Sequence, residues 1–236
     1  MEAIILAGGL GTRLRPRVAD RPKPMADIAG KPFLAWLLDY LAGQGVTRAI
    51  LAIGYRGEVI EGYFGARYAG LALRYVVEEA PLGTGGAIRL ALAESREDPV
   101  WVVNGDTMLC LDYRAMREAH QRRGEAMTMA LRRVADAGRY GAAELSGDRV
   151  TGFAARGAAG PGLINSGVYL VSPGLFYGHD LPRIFSFERD FLPVAAGAGR
   201  VAGFVTDGWF IDIGVPEDYD RAQGELAAQV AAAAGR

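Results

Sequence analysis

The sequence predicts an α/β fold: one domain of 236 residues on a mainly parallel central sheet covered by helices. Three observations predict it. Strand-like and helix-like segments alternate through the first half, which is the pattern of β-α-β units. Several strand-like runs are continuously apolar rather than alternating, as strands buried on both faces are. Half the residues are hydrophobic and 22 % are charged, and no repeat or linker interrupts the chain, so one large core is expected. Within that single domain, 1–236, the regular alternation occupies residues 1–110 and gives way to a more irregular half, 111–236.

The elements follow in order. Ala3 to Ala7 is a short apolar strand ending in Gly8-Gly9-Leu10-Gly11. Phe33, Leu34, Leu37, Leu38 and Leu41 recur at helical spacing, and Gly43 and Gly45 close that helix. Ala49 to Ile53 is a buried strand, Glu58 to Phe64 a short helix, and Leu71, Leu73, Tyr75 and Val77 alternate as a strand. Gly85 to Glu94 reads as helix, and Val100 to Val103 as a strand bounded by Asn104-Gly105-Asp106. Then come a strand over Met127 to Val134 and a hairpin over Tyr140 to Phe153, turning at Ser146-Gly147-Asp148. Leu163 to Val171 is a strand, Phe187 to Ala196 a helix, and Val201 to Val205 and Trp209 to Ile213 are strands. Pro216-Glu217-Asp218 opens a helix that runs through the alanine-rich tail to Ala234.

Composition excludes several functions. A net charge of −1 offers no broad basic surface for nucleic acid, so an anionic ligand must be held by a few well-placed groups. The single cysteine, Cys110, excludes an intrachain disulfide and a cysteine-rich metal site. The two histidines, His120 and His179, lack the spacing of a zinc site or a Ser-His-Asp triad. Neither a signal-peptide pattern nor a membrane-length apolar run is found, which predicts a cytoplasmic protein without a membrane partner.

Gly8 to Pro16 is the most informative stretch. Glycines after a strand let backbone N–H groups approach phosphate closely, and Arg13 and Arg15 add guanidinium groups suited to phosphate oxygens. A dinucleotide fingerprint fails because its third glycine would fall at Leu14. A Walker A loop fails because Gly11-Thr12-Arg13 lacks the lysine. Pro22-Lys23-Pro24 follows, and the two prolines are expected to hold Lys23 in an extended segment as a second cation for phosphate. Asp106 and Asp212, both at the ends of apolar strands, could meet on one hard cation.

The loop and Pro22-Lys23-Pro24 together resemble the NTP-type sugar nucleotidyltransferases, or NDP-sugar pyrophosphorylases, whose signature is G-G-x-G-T-R-L-x-P followed by P-K-P. The resemblance extends over nearly the whole chain and implies a Rossmann-like, glycosyltransferase-A-like fold. It implies that Arg13, Lys23 and Asp106 are catalytic, with Arg13 and Lys23 on the NTP phosphates. Leu6, Ala7, Gly8, Gly9, Gly11 and Thr12 would cradle the nucleotide. Asp106 and Asp212 would hold Mg²⁺. Glu79, Pro81, Gly83 and Thr84 resemble the loop that reads the base. Gly141, Arg156, Asn165 and Glu188 would bind the sugar phosphate, although Glu188 also fits plain helix capping behind Ser186.

One motif departs from the family. Many members carry Glu-Lys after the hairpin, where this chain has Ala155-Arg156. Arg156 keeps the charge with a different geometry. Within the family, Gly30 to Leu34, Pro81 to Ile88 and Phe185 to Glu188 are most similar to the D-glycero-α-D-manno-heptose 1-phosphate guanylyltransferases. That similarity implies GTP and the heptose 1-phosphate as substrates, for a bacterial surface-glycan precursor. Mannose-1-phosphate guanylyltransferase, glucose-1-phosphate thymidylyl- or uridylyltransferase and MurNAc-1-phosphate uridylyltransferase are the alternatives. A homodimer formed through the second half is compatible with the sequence. A non-catalytic nucleotide-sugar sensor, the alternative of another class, would be expected to have lost Arg13, Lys23 or one of the two aspartates, and all four are present.

Overall fold

The structure, a computed structural model, describes residues 1–9, 21–157 and 159–234. The chain runs β1 (Glu2–Leu6), β2 (Asp27–Ile28), β3 (Lys31–Pro32), α1 (Phe33–Gly43), β4 (Arg48–Ile53), α2 (Gly57–Phe64), β5 (Arg67–Tyr68), β6 (Leu71–Val77) and α3 (Gly83–Leu92). It continues β7 (Val100–Asn104), β8 (Thr107–Leu109), α4 (Tyr113–Arg123), β9 (Met127–Val134), β10 (Ala143–Ser146), β11 (Arg149–Phe153) and β12 (Gly162–Val171). A π-helical turn (Phe187–Phe191) leads into α5 (Leu192–Gly197), followed by β13 (Ala202–Thr206), β14 (Phe210–Asp212) and α6 (Pro216–Ala234).

A ten-stranded sheet ordered β10-β11-β13-β9-β12-β7-β1-β4-β6-β5 forms the centre of a single α/β domain. Its heart is parallel: β1 lies between β4 and β7, with Ile4 opposite Ile50 and Val102, and β6 extends the row beyond β4. Successive side chains leave opposite faces. Ile4, Ile50 and Val102 pack with Ala87, Ile88 and Ala91 of α3. Ile5, Leu51 and Val103 pack on the other face, in the cluster that contains Phe33, Leu34 and Leu37 of α1 and Ala222 and Leu226 of α6. Both faces are therefore covered, which is why these strands are apolar throughout.

The second half departs from the parallel pattern. β12 enters antiparallel between β7 and β9, and the β10–β11 hairpin extends the edge beyond β13. The sequence reading assigned no element to α4. That helix is mostly polar and buries only Tyr113, Met116, Ala119 and His120, so its apolar stripe is narrow. Its ends are nonetheless marked, because the Asp112 carboxylate accepts from Ala115 N–H and Gly124 closes it in the left-handed conformation. Lys23 is also corrected. It is not extended but opens a single 3₁₀ turn, Lys23–Met25, which Pro24 permits because no helical bond is required of its missing N–H there. Among the described residues, no helix is long and apolar enough to cross a membrane.

One charge is built into the core. The Glu2 carboxylate, on a residue only 4 % exposed, takes Arg48 Nη1 at 2.5 Å and the N–H groups of Arg96 and Glu97 at 2.7 and 3.2 Å. Burial pushes its pKa up, but the Arg96 N–H, the Arg48 guanidinium and the Glu97 N–H outweigh it and hold the group below its ordinary value. A depressed carboxyl contributes stability above its unfolded pKa and loses it as pH falls through the folded one. Glu2→Gln should therefore cost about 2–3 kcal/mol at neutral pH. In denaturant titrations the gap to the parent should close as pH drops below the ordinary value of 4.5. A gap that stays constant with pH would refute this account.

Candidate active site

The carboxyl ends of β1, β4, β6 and β7 open into a cavity of about 660 Å³, where parallel sheets place their ligands. Leu6, Gly8, Gly9, Lys23, Glu79, Pro81, Gly83, Thr84 and Asp106 line it, all singled out from the sequence. Ala7 is buried and is not part of that lining. Gly11, Thr12 and Arg13 lie outside the described residues.

The glycines serve close approach. A β-carbon on Gly8 would stand 2.7 Å from Glu78 Oε1, and one on Gly105 would stand 2.6 Å from the Leu6 carbonyl oxygen. Gly83 has φ +71°, and its β-carbon would stand 2.5 Å from the Phe185 carbonyl oxygen, a contact only glycine allows. The start of α3 is thereby docked on Phe185, whose carbonyl accepts from Gly85 N–H at 3.0 Å.

Asp106 and Asp212 are brought together by a small second sheet. β8 and β14 pair antiparallel with Thr107 opposite Asp212, and Ile213 N–H donates to the Asp106 carbonyl at 3.1 Å. Lys23 Nζ lies between the carboxylates, 2.5 Å from Asp106 Oδ2 and 3.4 Å from Asp212 Oδ1. Asp212 Oδ1 also accepts from Gly214 N–H at 2.7 Å, while Arg139 approaches Asp212 Oδ2 at 3.5 Å and pairs with Asp218. Burial works against the Arg139 charge, but Asp218, Tyr140 and Asp212 outweigh it and raise its pKa.

Among the described residues, no group of three His, Cys, Asp or Glu side chains could hold a metal ion. The pair Asp106 and Asp212 fits a hard divalent cation that completes its shell with phosphate and water. These oxygens already share a cation, the Lys23 ammonium. Neither histidine lines the cavity: His120 is buried with Nδ1 2.9 Å from Thr128 Oγ1, and His179 packs edge-on against Phe191.

The residues expected to hold the sugar phosphate lie outside the cavity lining. Glu188 is tied to it, since Thr84 Oγ1 donates to Glu188 Oε2 at 2.5 Å and accepts from Phe187 N–H at 2.9 Å. The capping reading holds as well, because Ser186 Oγ accepts from Arg189 N–H at 3.2 Å. Asn165 Nδ2 donates to Tyr169 OH at 2.7 Å, and its Oδ1 accepts from Gly167 N–H. Gly141, at φ +84°, packs against Ala154 and Arg156, and Arg156 is exposed.

Sequence reasoning missed Glu78, Arg139 and Asn104. Glu78 lines the cavity with Glu79, and burial raises its pKa although Leu82 N–H donates to it at 2.9 Å. Two adjacent acids after a strand left no sequence signal for the half-buried one. Asn104 lines the cavity, and its Oδ1 is buried without a hydrogen-bond partner among the described residues. Arg139 and its partner Asp212 are 73 residues apart in sequence, so only the fold joins them.

A family model described as "Nucleotidyl transferase" matches residues 2–229. The chain is 46 % identical to the D-glycero-alpha-D-manno-heptose 1-phosphate guanylyltransferase of Aneurinibacillus thermoaerophilus, over 96 % of this chain and 98 % of that one. It is 36 % identical to the mannose-1-phosphate guanylyltransferase of Mycobacterium tuberculosis, over 98 % of this chain and 66 % of the relative. The crystal structure of HddC from Yersinia pseudotuberculosis complexed with GMP-PN superposes with a TM-score of 0.86 at 39 % identity, covering 95 % of this chain and 99 % of that one.

Proposed function

The chain belongs to the nucleotidyl transferase family and is a sugar-1-phosphate nucleotidyltransferase, and on that premise we propose that it couples GTP to D-glycero-α-D-manno-heptose 1-phosphate. The products would be the GDP-heptose, a precursor of bacterial surface glycans, and pyrophosphate. The observation that carries this reading is the near-full-length identity to a heptose 1-phosphate guanylyltransferase, joined to a cavity that contains Lys23 and Asp106. Guanine also suits the wall, because its edge offers adjacent N–H donors and Glu78 and Glu79 present acceptors.

A phosphate oxygen of the sugar 1-phosphate attacks the α-phosphorus of GTP in line, and pyrophosphate leaves. The nucleophile is already anionic, so the reaction needs no histidine base. It needs two polyanions aligned and their charge neutralised. Gly8 and Gly9 present backbone to the phosphates, and Lys23 and Arg13 supply positive charge. Glu79, Pro81, Gly83 and Thr84 border the base, while Gly141, Arg156, Asn165 and Glu188 receive the sugar phosphate. The nucleotide is assigned to residues 1–110 and the acceptor to 111–236. Asp106 and Asp212 would hold Mg²⁺, which supplies Lewis-acid charge neutralisation when bound.

Pyrophosphate release should be measured with Mg²⁺ over four NTPs against heptose, mannose, glucose and MurNAc 1-phosphates. Release with GTP and the heptose alone supports the full proposal. Release with another pair keeps the reaction and replaces the substrate, and silence with retained nucleotide binding favours a sensor.

A further inference from the structure

Lys23 faces the carboxylates, not open space, and its seat is shaped for it. A β-carbon on Gly214 would lie 2.7 Å from both Lys23 Nζ and Asp212 Oδ1, so glycine there leaves the ammonium and the carboxylate undisturbed. The Lys23 side chain is 11 % exposed. Its backbone is pinned by the 3₁₀ turn and by Met25, which is 2 % exposed. The flexible stem of the side chain is what can swing.

Local charge closes the argument. Asp106 and Asp212 carry two negative charges and Lys23 returns one, while Arg139, whose nearer partner is Asp218, approaches Asp212 Oδ2 at 3.5 Å. An ammonium 2.5 Å from Asp106 Oδ2 covers the oxygen that a divalent cation would take at about 2.0–2.1 Å. The two cations also repel each other.

We propose that Lys23 is the resident counter-ion of the cation site, so that the nucleotide-free enzyme holds a divalent cation weakly and nucleotide phosphate opens the site by drawing the ammonium away. The inference rests on reading Asp106 and Asp212 as the cation's ligands. It adds that cation and nucleotide bind as one coupled event.

The test is Mn²⁺ binding without nucleotide, followed by the electron paramagnetic resonance signal of free Mn²⁺. Lys23→Met removes the charge and keeps the stem length. It should bind Mn²⁺ roughly tenfold more tightly than the parent, the scale of one nearby unit charge lost. Adding Asp106→Asn should abolish the gain. Lys23→Gln serves as a second neutral variant, with thermal melting to verify that each protein is folded. Affinity unchanged or weakened in folded Lys23→Met or Lys23→Gln overturns the proposal. So does a gain that survives Asp106→Asn, since the cation would then bind elsewhere. Pyrophosphate release plays no part in this readout, so failure of the substrate assignment would be seen separately.

Discussion

Asp106→Asn is expected to lower turnover by a factor on the order of 10² to 10³ while leaving the fold intact. The two consequences separate because the residue's structural work is done by its backbone. The Asp106 carbonyl accepts from Ile213 N–H and helps join β8 to β14, and asparagine preserves that bond. The carboxylate itself is 35 % exposed and packs no core. What asparagine loses is the negative charge that faces Lys23 Nζ and would face a divalent cation. Pyrophosphate release and the melting temperature should be followed together. A variant within tenfold of the parent in rate would remove Asp106 from the chemistry. A collapse in melting temperature would instead make its role structural.

Much of this architecture was legible from the sequence because burial on both faces leaves a plain mark. Ile4-Ile5, Ala49 to Ile53 and Val100 to Val103 could hardly be anything but central strands, and they are. Where apolar content is sparse, the mark fades. Helix α4 shows only a narrow stripe, too weak for periodicity to reveal it, although Asp112 and Gly124 bracket it. The antiparallel entry of β12 was not legible either, since an apolar ten-residue strand looks the same in either direction.

The site divides in the same way. Glycine positions, Lys23, Asp106 and Asp212 were named because motif spacing constrains them. Their mutual arrangement was not named. Three-residue strands about a hundred residues apart carry no pairing signal, yet β8 and β14 are what bring the aspartates within reach of one ammonium. Lys23 was read only as a phosphate ligand, because sequence cannot show which anion a lysine meets first. Arg139 entered only through space, as the group that holds the far oxygen of Asp212.

Lys23 therefore gives the second large effect, and the choice of substitution makes it diagnostic. Lys23→Ala should depress kcat by a factor on the order of 10² to 10³, as removal of a preorganised charge from a phosphoryl-transfer site does. Lys23→Arg keeps the charge and would be expected to restore activity if charge alone mattered. The geometry predicts that it will not. The seat is bounded by Asp106 Oδ2 at 2.5 Å and by Gly214, where even a β-carbon would lie 2.7 Å from Nζ. A planar, broader guanidinium with donors fixed in a fork matches neither that resting seat nor the single point on phosphate to which a compact ammonium on a flexible stem can move. Lys23→Arg should remain at least roughly tenfold below the parent in kcat, the order of loss that misplacing a charge-stabilising group brings. Full recovery with arginine would mean that the position needs only positive charge near phosphate, and that its contacts with the two carboxylates are incidental to turnover.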